Sequence, residues 1–158
     1  MKPRIELLKE KRLIGKHLLM SFAENKTQQV WQSFMPYRKE IKNRISDDLF
    51  SIRVYDEKFN PGVSTEEFEY WAAAEVSIFE FLPENMDKFI LKGGLYAVFH
   101  YKGLSTDNAI FIYIFGTWLP ESVFILDNRP HFEILGEKYK NNDPESEEEI
   151  WIPVKPKS

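Results

Sequence analysis

The chain has three histidines, His17, His100 and His131, and none falls at the HxxxH or HExxH spacing that sets two ligand nitrogens on one helical face. It has no cysteine, which excludes disulfides, thiolate nucleophiles and Cys-based metal sites. A hydrolase-type serine needs glycines on both sides of a sharp strand-to-helix turn, and 120-PES-122 has none. Gly93-Gly94 precedes a strand, not a helix, so no phosphate-cradling loop is expected there. These patterns point to no metal and no cofactor. What remains is carboxylates beside rings: Glu133 between Phe132 and Ile134 in 131-HFEIL-135, and Glu149 ahead of Trp151 in 149-EIWIPV-154.

Side chains alternate across a strand, so Phe132 and Ile134 share one face while His131, Glu133 and Leu135 share the other. The same rule separates Ile150, Ile152 and Val154 from Glu149, Trp151 and Pro153. In a two-layer domain the first set on each strand is expected under the helices, which places Glu133, Glu149 and Trp151 together on the open face. Two readings follow. Glu133 is a solvated residue of a wet face, or it floors an aromatic cleft, where it attracts a cationic ligand or acts as general acid or base.

The elements that position these residues are read from periodicity. Residues 4–22 form a strand interrupted at Gly15. Asn25 is expected as an N-cap with Gln28 as its reciprocal partner, opening an amphipathic helix over 26–44 with Val30, Phe34, Tyr37 and Ile41 buried, Trp31 and Met35 widening that face, and Met35-Pro36 ending or kinking it. Strands follow at 50–55, from Phe68 to Val76, near 89–91 and at 95–101. The apolar run 109-AIFIYIFGTWL-119 has strand propensity, but the two halves of the chain share one order of elements, so residues 106–118 are assigned as a helix too deeply buried to need a polar side. Strands at 131–135 and 149–154 complete the second half, with Pro153 expected at an edge or a terminal position.

With 158 residues, 43% hydrophobic and 29% charged, the chain suits one globular domain. A net charge of −4, without a large basic cluster, argues against a protein that chiefly grips phosphate backbones. No stretch is long and apolar enough to be read as a membrane span, and the charged start does not read as a signal peptide, so a cytoplasmic location is the default. Aromatic residues make up 15%, enough for an aromatic-lined pocket as well as a core.

Together, 93-GGLYAVFHYKG-103, 118-WLPES-122, 127-DNRPHFEIL-135 and 148-EEIWIPV-154 resemble the GyrI-like small-molecule-binding domain, the effector module of AraC- and MerR-type multidrug-responsive regulators that also occurs as stand-alone proteins. The stretches 25-NKTQQVWQSFMPYRKEI-41 and 50-FSIRVY-55 extend the resemblance into the first half. It implies an α+β fold of two β-α-β-β repeats, about 1–80 and about 85–158, related by a pseudo-twofold. They share a curved antiparallel sheet with helices on one face and a ligand cleft between the repeats. By the same resemblance Glu133 is the cleft glutamate for cationic or polar aromatic ligands. Tyr96 or Tyr101, Trp118 and Trp151 are aromatic walls, Trp71 is a further contributor, and Glu149 is a looser acidic match, since 145-ESEEE-149 permits a shift of register. The helix-turn-helix of the regulators has no counterpart here, so DNA binding within the same chain is not expected. The leading expectation is a drug- or metabolite-binding protein. The alternatives are a hydrolase of reactive electrophiles, with Glu133 as base and Tyr101 as acid, and a protein-interaction role such as gyrase inhibition, in which the acidic 143-DPESEEE-149 loop meets a protein partner.

Overall fold

Two very short connections set the shape of the molecule. In the computed structural model, which describes residues 2–158, strand β1 (Arg4–Leu8) passes to β2 (Lys11–Met20) through Lys9-Glu10, and β5 (Asp87–Leu91) passes to β6 (Gly94–Lys102) through Lys92-Gly93. Yet β1 pairs with β6, and β5 pairs with β2. These pairs lie at opposite ends of the strand order β1-β6-β9-β8-β3-β4-β2-β5. A two-residue link bridges only about 10 Å, so the sheet curls until its ends meet where the links pass each other. There a Cβ on Gly93 would stand 2.5 Å from the Leu8 carbonyl oxygen, an approach that glycine alone permits.

The other elements are α1 (Thr27–Phe34), extended by a 3-10 turn at Met35–Glu40, then β3 (Arg44–Val54) and β4 (Phe68–Val76). In the second half α2 (Ala109–Tyr113) runs through a π-helical stretch, Ile114–Trp118, into α3 (Leu119–Glu121), followed by β7 (Phe124–Leu126), β8 (His131–Leu135) and β9 (Glu147–Pro156). The halves correspond as β2-α1-β3-β4 and β6-α2-β8-β9. Trp71 opposes Ile52 as Trp151 opposes Phe132, and Tyr70 opposes Arg53 as Ile150 opposes Glu133. All the strand pairs are antiparallel, and β3 pairs with β8 at the junction. This is the curved antiparallel α+β architecture that the family resemblance implies. Among the described residues no helix is long and apolar enough to cross a membrane.

Burial on both faces of the sheet follows from the curl. The inner face collects Leu8 and Leu91 from the two edge strands with Leu13, Phe50, Trp71, Tyr96, Phe132 and Trp151 into one core. The outer face carries two separate cores. Val30 and Phe34 of α1 pack on Tyr70, Ala72 and Ala74, and Ile110 and Ile114 pack on Ile150, Ile152 and Val154.

Several local expectations change. The strand over 4–22 is two strands, divided at Lys9-Glu10, and Gly15 is not its break. Gly15 lies within β2 so close to β4 that a Cβ would meet Ala72 O at 2.1 Å. The first α-helix ends at Phe34, because Pro36 lacks the N–H that would continue it. Asn25 accepts from the Thr27 N–H at 2.9 Å, one residue ahead of the N-cap position. The second helix begins at Ala109, and its apolar outer side is not buried: Ile112 is 65% and Phe115 38% exposed. Pro153 is not at an edge. It pairs with Tyr96 on one side, and on the other it falls between the residues of β9 that face β8 and those that face β7. The short strand β7 carried no sequence signal.

Candidate functional site

Strand β3 crosses β8 at the centre of the sheet with Ser51 opposite Glu133 and Arg53 opposite His131. Opposed residues point to the same side, and Glu133 also opposes Ile150, which packs beneath α2. Glu133 therefore faces the helix side of the sheet, between the two outer cores. This reverses the expected faces of β8, since Phe132 belongs to the inner core, whereas β9 keeps them, with Ile150, Ile152 and Val154 under the helix and Trp151 on the other side. A flat two-layer sheet would have one covered face, whereas a curled sheet covers its inner face by itself.

Glu133 is 9% exposed, and Arg53 Nη1 donates to its Oε1 at 2.6 Å. Burial works against the charge on Arg53, but Glu133, Tyr70 and Tyr55 together outweigh it and hold the guanidinium pKa above its ordinary value. Rings surround the pair. The Arg53 guanidinium lies 5.5 Å from the Tyr70 ring centroid. The Tyr70 hydroxyl accepts from Trp31 Nε1 at 2.8 Å and shares a hydrogen bond with Ser51 Oγ at 2.6 Å, so α1 and β3 both fix it. The His131 ring meets Tyr55 edge-on at 5.0 Å and Phe115 at 6.1 Å. Burial first and the Arg53 charge second push His131 down to about 3, so the imidazole is neutral near pH 7.

A second carboxyl shares this side of the sheet. Glu148 opposes Tyr101 on β6 and is 7% exposed. Burial and the neighbouring Glu133 raise its pKa to about 8, against the opposing effect of Arg53. Glu148 also lines an open concavity of about 630 Å³ at the end of β8, with Asp47, His100, Glu137 and Lys138. That concavity does not include Glu133, and its one ring is His100; the ring-lined surface over Arg53 and Glu133 between the two outer cores, hereafter the groove, is the better chemical candidate.

The residues singled out from the sequence divide between the two faces. Glu133, Trp118 and Tyr101 are on the helix side. Trp118 packs edge-on against Phe99 at 5.2 Å, and the Tyr101 hydroxyl donates to Leu104 O at 2.7 Å, so it is already engaged and is a poor acid partner for Glu133. Trp71, Tyr96, Trp151 and Glu149 are on the inner side. His17 stacks on Trp71 at 4.1 Å, Trp151 stacks on Phe132 at 5.1 Å, Tyr96 donates to Pro130 O at 2.7 Å, and Glu149 accepts from Arg4 Nη2 at 2.8 Å. In the 145–149 run, Glu148 and not Glu149 shares the side of Glu133. Arg53, Tyr70 and Glu148 were missed. Arg53 gave the same signal as Glu133, a charge between two apolar strand neighbours, Ile52 and Val54.

Comparison with known proteins agrees with this architecture. A family model described as GyrI-like small molecule binding domain matches residues 1–155. No curated protein matches. Solved structures share the fold at low identity. SAV2435 bound to tetraphenylphosphonium superposes with a TM-score of 0.71 at 16% identity, over 98% of this chain and 94% of that one. EcmrR in a DNA complex gives 0.71 at 13%, over 98% of this chain and 57% of that one. A hydrolase encoded by lin2189 from Listeria innocua gives 0.61 at 12%, over 98% and 92%.

Proposed function

The chain belongs to the GyrI-like small-molecule-binding family, and from that premise we propose that the groove over Arg53 and Glu133 is its ligand site, taking cationic or planar aromatic compounds. The observation that carries this reading is the buried Glu133 carboxylate at the junction of the two halves, among Tyr55, Tyr70 and Phe115. Rings supply contact area with little ordering cost, and a carboxylate in a partly dry groove favours a cation more than one in water does. The tetraphenylphosphonium held by SAV2435 is a cationic aromatic ligand, tetrahedral and not planar, and it supports the cationic part of this reading by likeness of fold. A drug- or metabolite-binding role, as a sensor or a sequestering protein, follows from such a site.

The test is calorimetric titration with tetraphenylphosphonium. Glu133→Gln is expected to weaken binding by about 1–3 kcal/mol, the range for losing a charged partner. Glu149→Gln, on the inner face, should leave affinity unchanged. Equal affinity of the Glu133→Gln and native chains would remove this groove as the site.

A further inference from the structure

The Arg53–Glu133 pair, with N and O 2.6 Å apart, is electrically neutral as a unit. A cation entering the groove therefore adds charge that this pair does not balance. On the same side of the sheet is Glu148, more than nine-tenths buried, and among the described residues its Oε2 has no hydrogen-bond partner. An ionised carboxylate is strongly disfavoured in such a place.

We propose that Glu148 is a second carboxyl of the ligand site, carrying a proton while the groove is free and releasing it when a cation binds, so that a ligand charge is exchanged for a proton. The inference rests on the ligand reading above. The groups facing Glu148 are Tyr101 opposite it on β6 with Asp107 beyond, Glu133 on β8, Arg53 on β3 and Tyr139 from the loop after β8, and around the concavity it lines stand Asp47, Asp48, His100, Glu137, Lys138, Glu147 and Glu149. Glu133 repels a second negative charge, and Arg53, the cation whose charge acts on Glu148, is already held by Glu133. A ligand cation supplies the missing positive charge, the carboxyl O–H bond breaks, and the proton passes to water through the concavity that Glu148 lines. The raised affinity of Glu148 for its proton in the free groove agrees with this geometry.

Tetraphenylphosphonium has no proton of its own, so any proton released on its binding comes from the protein or the buffer. Titration of the intact chain near pH 7 in buffers of different ionisation heat should show close to one proton released per ligand. Affinity should rise about tenfold per pH unit and level off above about pH 8. Glu148→Gln should bind without release and without that pH dependence; Glu148→Met, of similar length, gives the same comparison should the glutamine variant not fold. Binding by the native chain without proton release overturns the exchange while leaving the ligand site standing. Release that persists in both variants overturns the assignment to Glu148. Absence of binding across this pH range overturns the ligand reading and the exchange with it.

Discussion

Arg53 occupies Glu133 much as a bound cation would, and on the proposed ligand reading an incoming cation has to share or displace it. Arg53→Met should therefore tighten tetraphenylphosphonium binding by roughly tenfold, about 1.4 kcal/mol, while lowering stability because a buried carboxylate loses its partner. Calorimetry and urea unfolding on the same variant read these opposite signs. The two perturbed titrations make a second prediction. His131, ordinarily 6.5, falls to about 3, so the unfolded chain binds the extra proton between those values and stability drops as pH falls below 6.5. Glu148, ordinarily 4.5, rises to about 8, so the folded chain binds the extra proton and stability drops as pH rises above 4.5. The slopes oppose between 4.5 and 6.5, which places maximum stability there. Each flank should cost on the order of 2 kcal/mol, discounted for partial exposure. Thermal melts across pH should lose the alkaline decline in Glu148→Gln and the acid decline in His131→Gln.

Among the elements, those with one strong periodic signal were legible. Phe68–Val76 and His131–Leu135 appear with the boundaries read from alternation, because a strand between two partners has its face assignment fixed by burial. The break at Lys9-Glu10 was not legible, since it reflects which strands pair across the molecule and not local propensity. Nor was the side of the sheet that Glu133 faces. Alternation separates odd from even residues, but only the covering of both faces decides which set meets the helices. The apolar run at 109–119 has strand propensity by itself, and only the shared order of elements in the two halves marked it as a helix; neither signalled its π-helical stretch, a conformation found often at functional sites. Phe115 projects from that stretch toward His131. Phe115→Ala should weaken ligand binding by about 1 kcal/mol with little loss of stability, since Phe115 is partly exposed. Gly15→Ala has no such latitude. Its Cβ would meet the β4 backbone, and urea unfolding should show a loss on the order of 2–4 kcal/mol.

At the scale of the molecule, each half lends its first strand to the other: β1 completes the sheet beside β6, and β5 beside β2. Cutting the chain between β4 and β5 should give two fragments that are largely unfolded alone and regain strand structure when mixed, as circular dichroism would detect. Independent folding of either fragment would show that the exchanged edge is dispensable. The correspondence of the halves has another consequence. Arg53 and Glu133 occupy equivalent positions on either side of the junction, as the registers of Tyr70 and Ile150 show. A homodimer built from one half would carry the same side chain at both positions, two arginines or two glutamates, and would repel itself across the axis. Covalent fusion of the two copies frees each position to take its own charge. The two positions thereby close an ion pair across the junction, which neither homodimer could form.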